Sequence, residues 1–251
     1  MEYAISYACF TGKGRVRQSN QDNYYCCGAF LPELHDTGIV PAGRAYAQDA
    51  PLFFIFDGMG GEDRGETASY LCAQTVIEAA AERSDKDDPD LFLHRLCLRM
   101  NARLTAEADA LGCETVGSTA AGILFEPERV TVCNLGDSRV YRLREDAFTL
   151  CSRDHTVPLP EGRSNALVQF LGVRESEFSV SPHLAHAAPA EGDLFLICSD
   201  GLTDMLPPQR IGAILRANPT PFSAAALLYN EALRLGGRDN VTVIVCRIGA
   251  R

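Results

Sequence analysis

The sequence predicts an α+β protein built as a four-layer α-β-β-α sandwich, two antiparallel sheets each covered on its outer face by a pair of helices. Three observations predict it. The apolar run Leu52–Phe56 is too short for a helix and too apolar for a half-exposed strand. Two long stretches, 65–83 and 89–111, repeat apolar residues at three- and four-residue steps, the period of an amphipathic helix. Between 119 and 151, short β-rich segments alternate with turn residues, as in an antiparallel meander.

In chain order, residues 3–9 and 22–27 are rich in Tyr, Ile and Cys and read as strands on either side of a polar turn, Gly12–Gln21. The buried strand at 52–56 ends abruptly at Asp57-Gly58-Met59-Gly60-Gly61. Ala68, Leu71, Cys72, Thr75, Val76 and Ala79 define the inner face of the first helix, and Asp87-Asp88-Pro89 turns the chain into the second, antiparallel one. Strands at 119–125, 130–134, 138–143 and 147–151 are divided by Glu126-Pro127-Glu128 and Leu135-Gly136-Asp137, and another strand falls near 193–198. Helices at 207–217 and 223–235 follow, the second with Ser223 as its cap and Gly236-Gly237 as its stop, before a last strand at 241–247. Residues 28–51 carry Pro32, Pro41 and Pro51 and read either as a long hairpin tip or as an interaction loop. No repeat or linker interrupts the order, so 1–251 is expected to be a single domain.

Composition removes several function classes. With 251 residues, 46% hydrophobic and 22% charged, the chain can bury a full core, which excludes disordered and collagen-like classes. Its 23 Lys+Arg against 33 Asp+Glu give a net charge of −10, which repels nucleic acid and anionic lipid. The ten cysteines are spread through apolar runs with no CxxC pair, as expected of reduced core thiols rather than a disulfide or zinc scaffold. The first residues lack a basic, then apolar, leader pattern, and no stretch reaches the roughly 18 apolar residues of a membrane span, so a cytoplasmic protein is expected.

Four aspartates share a feature: each ends or interrupts an apolar strand beside Gly, Ser or Asn. They are Asp57, Asp137, Asp200 and Asp239, and Asp22 follows Asn20-Gln21. Two carboxylates 4 Å apart repel by about 4 kcal/mol at an effective dielectric of 20, so several gathered at strand ends need a cation. Oxygen ligands without Cys or His suit Mg²⁺ or Mn²⁺, and two such ions can support in-line displacement at phosphorus. Phosphoester hydrolysis is the chemistry this points to.

The motifs Arg17-Gln18-Ser19-Asn20-Gln21-Asp22, Phe56-Asp57-Gly58-Met59-Gly60-Gly61, Gly117-Ser118-Thr119-Ala120, Asn134-Leu135-Gly136-Asp137-Ser138-Arg139, Arg153-Asp154-His155-Thr156, Cys198-Ser199-Asp200-Gly201-Leu202 and Gly237-Arg238-Asp239-Asn240-Val241-Thr242 occur in this order over nearly the whole chain. In them the chain resembles the metal-dependent type 2C serine/threonine protein phosphatases, specifically their compact bacterial members. The resemblance implies a β-sandwich flanked by helices, with two Mn²⁺ or Mg²⁺ ions in a cleft at one end. It implies that Asp57 bridges both ions, with the Gly58 carbonyl on one and Asp200 and Asp239 on the other. Asp22 is implied to hold metal-bound water, Asp137 to serve a third ion, and Arg17 to grip the substrate phosphate. The implied reaction is direct attack of a metal-bridged water on phosphoserine or phosphothreonine, without a phosphoenzyme. Phosphorylated proteins and a bacterial serine/threonine kinase are the implied partners of a monomer.

Departures and duller readings stand beside this. Animal relatives carry a His where this chain has Met59, so no general acid is assigned there. The flap segment, Thr156–Leu171, is short for the bacterial family. His183 and His186 lack companions and read as surface or strand-edge residues, and His155 as a residue that orients backbone near the site. Gly60-Gly61 lacks the Gly-Lys-Ser/Thr ending of a nucleotide loop, and Ser118 and Thr119 lack an activating His and read as a packed strand start. Two alternatives remain: a phosphatase of the same superfamily that switches sigma-factor regulators, whose members generally lack the full Arg17–Asp22 element, and a non-catalytic, metal-stabilised phosphoprotein-binding module, which the complete acid set opposes.

Overall fold

The computed structural model describes residues 2–35, 41–59, 64–159, 162–174 and 176–250. Of the features singled out above, Gly60, Gly61 and the flap residues Pro160 and Glu161 lie outside this range, as do residues 36–40 of the long connection. The strands are β1 (Tyr3–Gly12), β2 (Asp22–Cys26), β3 (Ala42–Tyr46) and β4 (Leu52–Met59), followed by helices α1 (Arg64–Glu82) and α2 (Pro89–Leu111). Next come β5 (Gly117–Ser118), β6 (Ala120–Phe125), β7 (Val130–Leu135), β8 (Arg139–Arg144), β9 (Ala147–Leu150), β10 (Thr156–Leu159), β11 (Gly162–Leu167), β12 (His183–Ala187) and β13 (Leu194–Cys198). A single turn α3 (Asp200–Thr203), α4 (Pro208–Ala217), α5 (Pro221–Arg234) and β14 (Val241–Ala250) complete the chain.

One sheet has the order β3-β1-β14-β13-β8-β9 and the other β12-β7-β6-β4-β2, with β5 pairing on to β4. Every pairing is antiparallel. The four-layer expectation holds because the side chains of each central strand divide between two apolar cores. Phe54 and Phe56 of β4 join Cys72, Val76, Leu96 and Met100 of α1 and α2, while Phe53 and Ile55 meet Phe195, Ile197 and Ile244 between the sheets. Leu194, Leu196 and Cys198 of β13 face Ile211, Leu215 and Leu228 of α4 and α5. A strand buried on both faces has no polar residue to alternate with, which is why 52–56 is continuously apolar.

Three details differ from expectation. Residues 28–51 are not a plain hairpin tip: the chain leaves one sheet after β2 and adds β3 to the edge of the other, against β1, before returning as β4. The cap of α5 is Thr220, whose hydroxyl accepts the Ser223 N–H, because Pro221 occupies the first helical position and has no N–H to satisfy. Strands β10 and β11 pair with each other, antiparallel, outside both large sheets. Among the described residues no helix is long and apolar enough to cross a membrane.

Candidate metal centre and active site

The sandwich gathers the five aspartates at one end. Asp57 is at the end of β4 and is the cross-strand partner of Asp22, the first residue of β2. Asp200 follows the end of β13, Asp239 precedes β14, and Asp137 sits in the turn between β7 and β8. Asp57, Asp137, Asp200 and Asp239 line one cleft of about 350 Å³ together with Arg17, Gln21, Gly58, Met59, Thr119, Leu167 and Asn240. Leu167 brings the end of the flap hairpin to the cleft. The Arg17 guanidinium donates to Asp239 Oδ2 at 2.7 Å, so at the mouth of the cleft the phosphate-gripping candidate is paired with a metal-ligand candidate.

Asp22 is fully buried, and its surroundings determine the direction of every hydrogen bond. Ser199 Oγ and Thr242 Oγ1 both donate to Asp22 Oδ2, at 2.8 and 2.7 Å. Thr242 therefore accepts from Thr11 Oγ1 at 2.6 Å, and Thr11 accepts from Asn20 Nδ2 at 3.0 Å. Ser199 Oγ accepts the Thr242 N–H, and the Asp22 N–H returns to Asn20 Oδ1. Oδ2 is thus saturated by donors while Oδ1 is buried with no hydrogen-bond partner among the described residues. Burial pushes the Asp22 carboxyl up to about 7 against the pull of the two hydroxyls.

The neighbouring acids crowd each other. Asp57 is raised well above the usual carboxylate range by burial, then by Asp22, Asp200, Asp137 and Asp239, and Asp200 is pushed up to about 7 by burial and then by Asp137. Polar neighbours hold these acids in place. Thr119 accepts the Asp57 N–H and donates its own N–H to the Asp57 carbonyl, and Ser118 Oγ donates to that same carbonyl. Ser118 and Thr119 are therefore backbone supports of Asp57, a role the reading of them as a packed strand start did not include. Gly136 has φ +93°, and a Cβ there would lie 2.6 Å from the Thr119 methyl; only glycine lets this turn place Asp137 over β5 and β6. His155 accepts the Gly136 N–H and donates its own backbone N–H to the Gly136 carbonyl, in line with the orienting role expected of it.

Two groups of residues that the motifs contained were given no role from sequence. Asn240 takes the Gln21 N–H on its Oδ1 and donates from Nδ2 to the carbonyls of Lys13 and Ser19, clamping both ends of the loop that carries Arg17. Arg139 forms a half-buried bidentate pair with Asp154, and Asn134 bonds the backbone of Arg153 in both directions, which locks the segment leading into the flap. Residues 15 to 227 positions apart in sequence carry no local signal of touching.

The model of the protein phosphatase 2C family matches residues 44–226. The chain belongs to that family. Beyond the family match, this type 2C chain is 31% identical to the serine/threonine protein phosphatase PstP of Mycobacterium tuberculosis, over 97% of its own length and 45% of the relative's, so it spans about half of that protein. It is 26% identical to the serine/threonine phosphatase stp of Listeria innocua, over 94% of this chain and 92% of that one. The catalytic domain of PstP in complex with two manganese ions superposes with a TM-score of 0.79 at 28% identity, covering 99% of this chain and all of that one. PppA, a regulatory component of the type VI secretion system in Pseudomonas aeruginosa, superposes at 0.78 with 26% identity, covering 98% and 99%.

The cleft of this phosphatase 2C chain suits hard divalent ions. Its charged donors are all carboxylate oxygens, and Asp22 Oδ1 is a buried acceptor awaiting a partner. No three Asp, Glu, His or Cys side chains among the described residues close on a common point tightly enough to enclose an ion. An open cleft of acids matches an ion that keeps several waters, as Mg²⁺ does, better than a dry cage. If the hydroxyls around Asp22 position its free oxygen, Thr242→Val should weaken Mn²⁺ binding by about 10–100-fold, the usual cost of losing a partner of a metal-site group. Thr242→Ser should retain most of the affinity, and calorimetric titration of both variants with equal results would dismiss this role.

Proposed function

We propose that this chain is a metal-dependent protein serine/threonine phosphatase in which Asp57, the Gly58 carbonyl, Asp200 and Asp239 hold two Mn²⁺ or Mg²⁺ ions and Asp137 contributes to a third. The observation that carries the reading is the convergence of these strand-end acids and Arg17 on one cleft beside the unpartnered oxygen of Asp22. Two divalent ions in such a site supply a water acidic enough to attack phosphorus at neutral pH and neutralise the phosphoryl oxygens. The chain's own residues do the rest. The Arg17 fork binds two phosphate oxygens, exchanging its Asp239 partner for the substrate. Asn240 keeps that arginine's loop in place, and Asp22, fixed through Oδ2, would have its Oδ1 left to accept from a metal-bound water. Met59 has no proton to give, so protonation of the departing alkoxide falls to solvent in the cleft.

The substrates are phosphoproteins, made by a bacterial-type serine/threonine kinase, in a reducing cytoplasm; the ten cysteines, all free and seven of them buried, support that compartment. Hydrolysis of para-nitrophenyl phosphate and of a phosphothreonine peptide with Mn²⁺ tests the reading. Turnover is expected with Mn²⁺, lost on chelation and recovered on adding the ion back. Turnover indifferent to chelator, or none with any divalent ion, would overturn it.

A further inference from the structure

Lys13–Ser19 and Gly236–Asn240 are bonded into one unit, and Arg17, Asp239 and Asn240 of that unit line the cleft. Arg15 N–H donates to the Gly237 carbonyl at 2.7 Å, and Asn240 Nδ2 holds the Lys13 and Ser19 carbonyls. Gly14, at φ +75°, packs so closely that a Cβ would lie 2.2 Å from the Asp239 carbonyl and 2.6 Å from that of Gly237. The unit is therefore built rigidly, yet what it presents outward is exposed. Val16 is 61% exposed, and Arg15, Arg17 and Arg238 are exposed with it.

Arg17 is engaged with Asp239, but Arg15 and Arg238 make no side-chain ion pair or hydrogen bond among the described residues. Elsewhere on this acidic chain several exposed arginines are ion-paired, Arg99 with Glu78 and Glu82, Arg174 with Asp109, and Arg210 and Arg234 with Glu231. Two unneutralised guanidiniums and an exposed valine, held on a backbone that cannot relax and next to the residue that would grip phosphate, make a surface prepared for an anionic, extended chain.

We propose that Arg15 and Arg238, with Val16, form a basic lip that selects phosphoprotein segments carrying acidic or additional phosphorylated side chains beside the residue being dephosphorylated. The proposal rests on the phosphatase reading and adds a substrate class to it. Arg17 holds the phosphate to be cleaved, Val16 packs against the substrate's backbone and small side chains, and the two arginines pair with flanking anions. An exposed charge pair of this kind changes affinity by roughly two- to fivefold and weakens with salt.

The test uses three phosphothreonine peptides, identical except that the flanking residues are Glu, Ala or Lys, with phosphate release measured at low and high ionic strength. The kcat/KM is expected to fall in the order Glu, Ala, Lys, by about fivefold or more from first to last, and the spread to shrink in high salt. In the double variant Arg15→Glu, Arg238→Glu the ratio of Glu to Lys peptide should invert, and because each protein serves as its own reference a general loss of rate does not disturb the comparison. Equal values for the three peptides, or a ratio unchanged in the double variant, would overturn the lip. If no peptide is hydrolysed, the phosphatase reading fails instead, and fluorescence anisotropy of the same labelled peptides decides the lip by the same ratio.

Discussion

Asp57→Asn is expected to abolish turnover, a loss on the order of a thousandfold or more, while raising the thermal stability of the metal-free protein. The two effects have one cause. Asp57 faces Asp22, Asp200, Asp137 and Asp239, and burial adds to their repulsion in holding its carboxyl far above the usual range. Asn keeps the shape and removes the charge, so the fold is relieved of a repulsion and the cleft loses the acid that its neighbours surround. A gain of about 1 kcal/mol corresponds to roughly 2–4 °C in Tm for a domain of this size. Mn²⁺ should raise Tm of the native protein by more than that of the variant, whose cleft has lost the acid at its centre. A variant less stable than the native protein in chelator would show that these acids are not frustrated in the fold.

The same crowding gives a pH dependence. Asp22 and Asp200 are pushed up to about 7 in the folded protein against 3.8 for an unhindered carboxyl. The folded state therefore holds protons that the unfolded chain has released, and stability falls as pH rises between those values. In chelator, Tm should be highest below about pH 4 as far as these groups decide it, and should drop through pH 7. With Mn²⁺ the drop should be reduced, since the ion takes the place of the protons. A Tm in chelator that rises from pH 5 to pH 8 would contradict this assignment.

What could be read in advance follows from where burial is two-sided. Leu52–Phe56, Leu194–Cys198 and the two long helices were legible because cores on both faces, or one broad helix face, leave a periodic trace. β3 and β12 were not, because both are edge strands: Ala42–Arg44 are exposed, and His183–Ala187 pairs only with β7. Edge strands need no apolar alternation, and His183 and His186 proved to be the strand-edge residues that reading allowed. The acids of the cleft were legible as a set because each is an odd residue at a strand end. Their supports were not, since Ser199, Thr242 and Asn240 become partners of Asp22 and of the Arg17 loop only after folding closes separations of 177 to 227 residues.

Gly58→Ala is expected to cost about 3 kcal/mol or more, the upper range for forcing an atom into packed structure. Glycine is required here by lack of space. A Cβ at 58 would lie 1.9 Å from the Gly65 carbonyl and 2.6 Å from that of Gln21, both backbone atoms that cannot swing away. The Gly58 N–H already bonds the Gln21 carbonyl at 3.1 Å, so the end of β4, the first turn of α1 and the approach to β2 are locked into mutual contact. Gly201 repeats the arrangement, its absent Cβ leaving room for the Asn240 carbonyl 1.9 Å away. In each Asp-Gly pair the acid faces the cleft and the glycine lets a neighbouring segment come close enough to bring its own residues to that cleft. Gly249→Ala, with nothing within 4 Å of the new methyl, should leave the stability within about 0.5 kcal/mol of the native protein's and serves as the control. Gly58→Ala should lose stability with and without Mn²⁺, opposite in sign to Asp57→Asn in chelator. Adjacent substitutions that move stability in opposite directions and activity in the same one would separate packing from chemistry within a single dipeptide, and matching signs would mean that the two residues act through one and the same contact.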